Sequence, residues 1–230
     1  MIKIKFITLI FISLFIISCD NSQNENEKTL PEDELGILEK NELSVIDKAF
    51  KNEIALIKSD SNKSIDIIEF SSFTCSHCAD FHNSTLKEIL SSEVGGKINY
   101  YIIDFPLDYF ALFASQIGNC IIPSRLQFTN IVYDQQKYWK SLYNQENPDS
   151  KYEIEKILIG YAMQLGNSEE VIQECLSNEK LKDKILNKQL KAQKLFKVES
   201  TPTFIIDGDI FTGNRPSSEF IEIINKKLIK

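Results

Sequence analysis

The sequence predicts an α/β fold with a block of helices set into its middle, and three observations carry that expectation. A strand apolar on both faces, a helix-length segment and a second apolar strand follow one another over 65–106, which implies a right-handed βαβ unit. A tight hairpin and an amphipathic helix close the chain over 203–230. The segment between them has helical spacing and no strand signal. The two ends are therefore expected to share one mixed sheet with helices on both faces, and the middle to form a cap.

Leu43, Ile46, Phe50 and Ile54 recur at helical spacing and predict a short helix. "ALIKSDSNKSIDIIEF" reads as a strand, a polar turn and a second strand over Ile65–Phe70. Ile65, Ile67, Ile68 and Phe70 make that second strand apolar on both faces, as a central position requires. A helix is expected over Cys78–Leu90 and a strand over 97–106, closed by Pro106. Helices follow over Leu107–Ile117, stopped by Gly118-Asn119, and over Gln127–Tyr143, Ile154–Leu165, Ser168–Leu176 and Leu181–Phe196. Thr203–Ile206 and "DIFTG" form the hairpin around Asp207-Gly208. Ser217 or Ser218 caps the last helix, with Phe220, Ile221, Ile224 and Leu228 as its buried stripe.

The N-terminus carries its own signal. Lys3 and Lys5 precede an apolar run over Phe6–Ile17 that suits a secretory leader and is short for a membrane span. The ending Ile16-Ile17-Ser18-Cys19 resembles a bacterial lipobox, which implies cleavage before Cys19 and lipid on that residue. An ordinary leader with a cysteine nearby is the alternative. Asp20 is similar to the inner-membrane retention signal of some Gram-negative lipoproteins. The polar, acidic stretch over 20–42 reads as a tether. The expected division is thus leader 1–18, anchor and tether 19–44, one sheet unit split into 45–106 and 197–230, and a helical insertion over 107–196. The net charge of −7 and the lack of a basic patch argue against a nucleic-acid partner.

"FSSFTCSHCADFH", 70–82, holds both histidines and two of the five cysteines. Cys75 and Cys78 could form a staple, a metal clamp or a redox pair. A staple closing so small a loop removes little chain entropy. Zinc wants four ligands, commonly in two close pairs, and no second Cys-x-x-Cys is present. A redox pair has a physical basis. With Cys75 just before a helix, its sulfur meets unpaired N–H groups and the positive dipole end, which lower a thiol pKa below about 8.5. Protonated His77 would add positive charge beside it, whereas His82 reads as a solvated helix residue. Cys78, deeper in the helix, would be the resolving thiol. Pro202, at the start of a strand in "VESTPTFIIDG", suggests a cis bond or an edge position. Glu69, a carboxyl on an otherwise apolar strand, is placed to exchange a proton with Cys78, or else reaches water at the strand end.

"IIEFSSFTCSHCADFH" together with "VESTPTFIIDG" resembles bacterial thiol–disulfide oxidoreductases of the DsbA type over about 45–230. The resemblance implies a thioredoxin-like fold with an inserted α-helical domain. It implies that Cys75 is the exposed nucleophile, Cys78 its buried partner, and Ser76-His77 the dipeptide that tunes the potential. It likewise makes Thr201-Pro202 the cis-proline pair that binds substrate backbone, and Glu69 the buried acid beneath the cysteines. Ser76 stands where strongly oxidising members carry proline, and a threonine before the proline also occurs in relatives that reduce or isomerise. Exported thiol-containing proteins are the implied substrates, with a quinone-linked membrane reoxidant and no cofactor or metal.

Cys120 and Cys175 remain. With Cys19 lipidated and Cys75 paired to Cys78, parity in an oxidising compartment argues for a structural disulfide between them, against two buried free thiols. The expected protein is a lipid-anchored, periplasmic or otherwise extracytoplasmic enzyme that donates its disulfide. The rivals are a reductase or isomerase of the same fold and a non-catalytic tethered binding protein.

Overall fold

The computed structural model describes residues 45–229. The expected leader, the lipid site Cys19 and the tether over 19–44 lie outside the described residues. The chain enters with α1 (Val45–Ala49) and reaches β1 (Ile65–Ser71), which is buried at every position except Asp66. β2 (Ile98–Asp104) runs parallel to it, Ile65 opposite Ile98 and Glu69 opposite Ile102. β3 (Thr203–Ile206) pairs antiparallel on the other side of β1, and β4 (Asp209–Thr212) completes the order β2-β1-β3-β4. β1 is apolar on both faces because strands flank it and helices cover it above and below.

The strand expected before β1 shrinks to one antiparallel bridge between Ile57 and Tyr100. From Ala55 on, Leu56 and Ile57 are the large apolar side chains before the polar run at 58–64, too little to anchor a longer ladder. Between β1 and β2 the helix begins two residues earlier than expected. It runs as α2 (Ser76–Asp80), a π turn (Phe81–Thr85) and α3 (Leu86–Leu90).

The middle of the chain is helical, in α4 (Tyr109–Cys120), α5 (Arg125–Asp134), α6 (Gln136–Ser141), α7 (Asp149–Gln164), α8 (Glu169–Leu176) and α9 (Glu179–Phe196). The expected stop at Gly118-Asn119 is overrun. Gly118 lies beside the Phe128 ring, where an added Cβ would make ordinary contact at 3.5 Å, and it continues the helix rather than ending it. Asn119 donates to Asp104 at 2.6 Å and to the Ser115 carbonyl at 2.8 Å, which holds the extra turn in place. The helix expected over 127–143 divides at Gln135, whose ψ of 8° interrupts the ladder. Asp207 and Gly208 both take positive φ, 47° and 87°, as a two-residue hairpin of type I′ requires. α10 (Ser217–Ile229) ends the described chain.

Three cores result. On one sheet face Ile67, Tyr100, Ile102 and Phe204 pack with Phe81, Ile89, Phe220 and Ile224 from α2–α3 and α10. On the other face Ile68, Phe70, Ile103 and Ile205 meet Phe50 beside α1 and Ala192, Leu195 and Phe196 of α9. α9 therefore does more than cap: its C-terminal half is a layer of the sheet unit. The third core joins Phe113, Ile117, Phe128, Val132, Trp139, Ile154 and Leu158 of the helical unit to Phe73, Cys78 and Ala79. A buried ion pair at 2.8 Å, Arg125 to Asp104, ties the helical unit to the end of β2. The redox cysteines sit on this seam.

Candidate active site

Cys75 is the N-cap of α2, with extended dihedrals (φ −76°, ψ 121°), so its sulfur stands at the open end of the helix. It is half-buried, Cys78 is fully buried, and both are free thiols. The Cys75 pKa is lowered to about 5, first by the hydrogen bond from the Cys78 thiol, then by Thr201 and the backbone amides of Cys78 and His77, with partial burial opposing them. Cys78 is pushed well above the ordinary thiol value, chiefly by burial, then by the Cys75 hydrogen bond and the Glu69 charge. One sulfur is thus poised as thiolate and its neighbour as thiol.

The Thr201–Pro202 bond is cis and brings the Thr201 carbonyl to Cys75, whose thiol donates to it at 3.2 Å. The Thr201 hydroxyl is buried and finds no hydrogen-bond partner among the described residues in this thiol form. When Cys75 ionises it can no longer donate, and that hydroxyl is the neighbour able to turn toward the thiolate. From the helical unit, Gln136 Nε2 donates to the carbonyls of Phe73 and Cys75, both at 2.8 Å, and Lys140 Nζ donates to that of Thr74 at 2.5 Å. Two side chains of α6 so fix the backbone that presents Cys75.

Beneath Cys78 lies a closed polar cluster. Glu69 is completely buried. Its Oε2 accepts from the Tyr100 hydroxyl and lies 3.0 Å from His82 Nε2, while its Oε1 accepts from Ser71 Oγ at 2.5 Å. Tyr133 Oη sits 2.7 Å from Ser71 Oγ, and the Tyr133 ring stacks on His82 with centroids 4.4 Å apart. Burial, reinforced by the Glu69 charge, raises both tyrosine pKa values, so the phenols stay protonated and donate.

The histidines exchange the places expected of them. His82, read as solvated, is 2% exposed and belongs to this cluster. Four residues after Cys78 it shares the buried helix face, and the following π turn seats it against β1 and β2. His77 is exposed, and its backbone amide is among the groups that lower the Cys75 pKa. Ser76 is exposed too. Glu69 faces the interior and does not reach water. Ser71, Tyr100, Tyr133, Gln136 and Lys140 had no motif to announce them. Cys120 and Cys175 form a disulfide across 55 residues with Cα atoms 5.9 Å apart, joining the ends of α4 and α8. Among the described residues, no group of three or more His, Cys, Asp or Glu side chains gathers to hold a metal.

A family model described as Thioredoxin matches residues 58–226, most of the chain. The chain belongs to the thioredoxin family. A Rickettsia felis protein, named as a candidate protein-disulfide oxidoreductase, is 26% identical over 212 residues, spanning 91% of this chain and 72% of its own length. The crystal structure of Wolbachia pipientis alpha-DsbA1 superimposes with a TM-score of 0.62 at 26% identity, over 74% of this chain and 90% of that one. Bacillus subtilis BdbD shares the fold, with a TM-score of 0.60 at 15% identity over 75% of this chain and 91% of its own. This thioredoxin-family chain is an oxidoreductase of the DsbA type, and its chemistry is thiol–disulfide exchange.

Proposed function

We propose that the protein donates the Cys75–Cys78 disulfide to exported proteins on the extracytoplasmic face of a bacterial membrane. A substrate thiolate attacks Cys75 Sγ, and a mixed disulfide forms as the bond to Cys78 breaks. A second substrate thiol then attacks the substrate sulfur of that mixed disulfide, releasing Cys75 as thiolate and the substrate as disulfide. The observation that carries the donor direction is the place of Cys75 at the open N-terminus of α2, where the Cys78 thiol, Thr201 and two backbone amides lower its pKa to about 5. A stabilised thiolate leaves readily, so a disulfide containing it is easily reduced and acts as an oxidant. Thr201-Pro202 beside Cys75 supports an extended substrate held by main-chain hydrogen bonds, which fits a broad range of thiol-containing proteins. Glu69, buried beneath Cys78, takes and returns its proton.

Anchoring through lipidated Cys19 and recharging by a quinone-linked membrane protein complete the proposal. The apolar leader and the lipobox-like ending motivate the first, and the second is what the sequence resemblance to the DsbA type implies. Equilibration with glutathione at graded ratios, read from tryptophan fluorescence or alkylation, tests the direction. A potential more oxidising than that of the compartment supports the donor role, and one well below it makes the protein a reductase or isomerase.

A further inference from the structure

The two oxygens of the Glu69 carboxylate have separate neighbours. Oε2 is occupied by Tyr100 and His82, and among the described residues Oε1 has Ser71 as its one hydrogen-bond partner. Ser71 is 2% exposed; its hydroxyl donates to Glu69 Oε1 at 2.5 Å and lies 2.7 Å from Tyr133 Oη, and the same side chain neighbours Cys78, whose thiolate form it favours. A hydroxyl carries one proton and two lone pairs. Here the proton goes to Glu69, the Tyr133 hydroxyl donates to one lone pair, and Cys78 lies within reach of the other. That is the arrangement a hydroxyl needs to pass a proton between two groups.

We infer that Ser71 is a catalytic residue, the hydroxyl through which a proton moves between Glu69 and Cys78 each time the disulfide opens or closes. The inference rests on Glu69 being the proton partner of Cys78, and it adds the carrier. In the opening step a thiolate bonds to Cys75 Sγ, the Cys75–Cys78 bond breaks, and its electron pair goes to Cys78 Sγ. Ser71 gives its hydroxyl proton to that sulfur while Glu69, as carboxylic acid, gives its own to Ser71 Oγ. Cys78 becomes a thiol, Ser71 is again a hydroxyl, and Glu69 is a carboxylate. The dithiol form described here has the arrangement expected after that transfer, with Ser71, Tyr100 and His82 all directed at Glu69. Closing the disulfide runs the route backward: Cys78 attacks a mixed disulfide at Cys75, and its proton returns through Ser71 to Glu69. The proton stays inside the protein through the cycle, which suits a cluster buried this completely. His82 and Tyr100 are positioning residues, since they hold Oε2 and so keep Oε1 toward Ser71.

The test is stopped-flow reduction of the oxidised full-length protein by dithiothreitol, which reads the opening step whatever the physiological substrate or direction. Ser71→Ala should slow this step about tenfold or more, since general acid–base assistance contributes about 10²–10⁴-fold. Ser71→Thr, which restores a hydroxyl, should recover most of the rate. Alkylation of Cys75 should be nearly unchanged in both. A wild-type rate in Ser71→Ala overturns the inference, and so does an equal loss in Ser71→Thr, which makes the role one of packing. Should Ser71→Ala fail to fold, Tyr133→Phe decides: it leaves Ser71 less well held, so a slower opening supports the route and an unchanged rate removes it. A slow Glu69→Gln beside a fast Ser71→Ala would leave Glu69 as the proton partner and sink the Ser71 bridge alone.

Discussion

The chain carries two cysteine pairs built on opposite ends of helices. Cys75 and Cys78 open α2, where free backbone N–H groups converge, whereas Cys120 is the last residue of α4 and Cys175 stands next to the end of α8. Helix N-termini favour thiolates, and C-termini, with unpaired carbonyls and the negative dipole end, disfavour them. A disulfide whose sulfurs leave poorly as thiolates is hard to open, and one containing a sulfur ionised at about pH 5 opens easily. Loop length points the same way. Closing 55 residues constrains the unfolded chain strongly, and closing two constrains it hardly at all. Two cysteine pairs in one chain can thus serve as framework and as reagent, told apart by helix polarity.

Swapping the losses sharpens the contrast most. Cys75→Ser should bring exchange down to the uncatalysed rate, measured with a fluorescent dithiol peptide, while the double variant Cys120→Ser, Cys175→Ser keeps turnover within about twofold. That double variant should lose up to about 4 kcal/mol in urea unfolding, the chain-entropy value for a loop of this length. Unchanged stability there would break the framework assignment. Next comes His82→Ala, expected to cost about 3 kcal/mol because it strips a buried partner from Glu69. His77→Ala should stay within about 0.5 kcal/mol, as surface changes do. Equal losses at the two histidines would contradict the difference in their burial.

A smaller effect depends on pH. The folded Cys75 pKa lies below the unfolded one, so the stability it gives the dithiol form is complete above about pH 9 and disappears as pH falls through about 5. Cys78, whose pKa is raised, stays protonated in both states below about pH 8 and adds no slope there; nearer pH 9 it ionises only in the unfolded chain and opposes the gain from Cys75. The dithiol form should lose stability relative to the disulfide form between pH 9 and 5, followed as the gap between their melting temperatures. Iodoacetamide labelling of Cys75 should reach half its maximal rate near pH 5, and a midpoint near 8 or 9 would remove the basis for an oxidant.

Much of the fold was legible because local signals agreed with one another. The two-faced apolar run at β1, the Asp-Gly turn and the stripe of α10 each specify one element without knowledge of the rest. Cys75 and Cys78 were legible for the same reason, since the chemistry of a helix N-cap is local. The cluster beneath them was not. Tyr100 joins Glu69 only through the β1–β2 register, which sets Tyr100 opposite Ile67, and Tyr133 arrives from α5, 62 positions from Ser71. His82 was within reach, since its four-residue offset from Cys78 should have put both on one buried face. The dual use of α9 could not be read, because a stripe of buried residues does not say which neighbour covers it.

That dual use has a consequence for engineering. α9 comes last in the helical insertion, yet its Ala192, Leu195 and Phe196 lie under the sheet, and its Lys188 pairs with Glu53 ahead of β1. A minimal catalytic module cut from this protein at the nominal insertion boundaries would lose one floor of its sheet and aggregate. A trimming that keeps α9 but removes α5 to α8 keeps that floor, yet it strips the Arg125–Asp104 pair, Tyr133 and one half of the Cys120–Cys175 disulfide. Even that shortened chain would lack Gln136 and Lys140, and with them the grip that holds the cysteine turn in place.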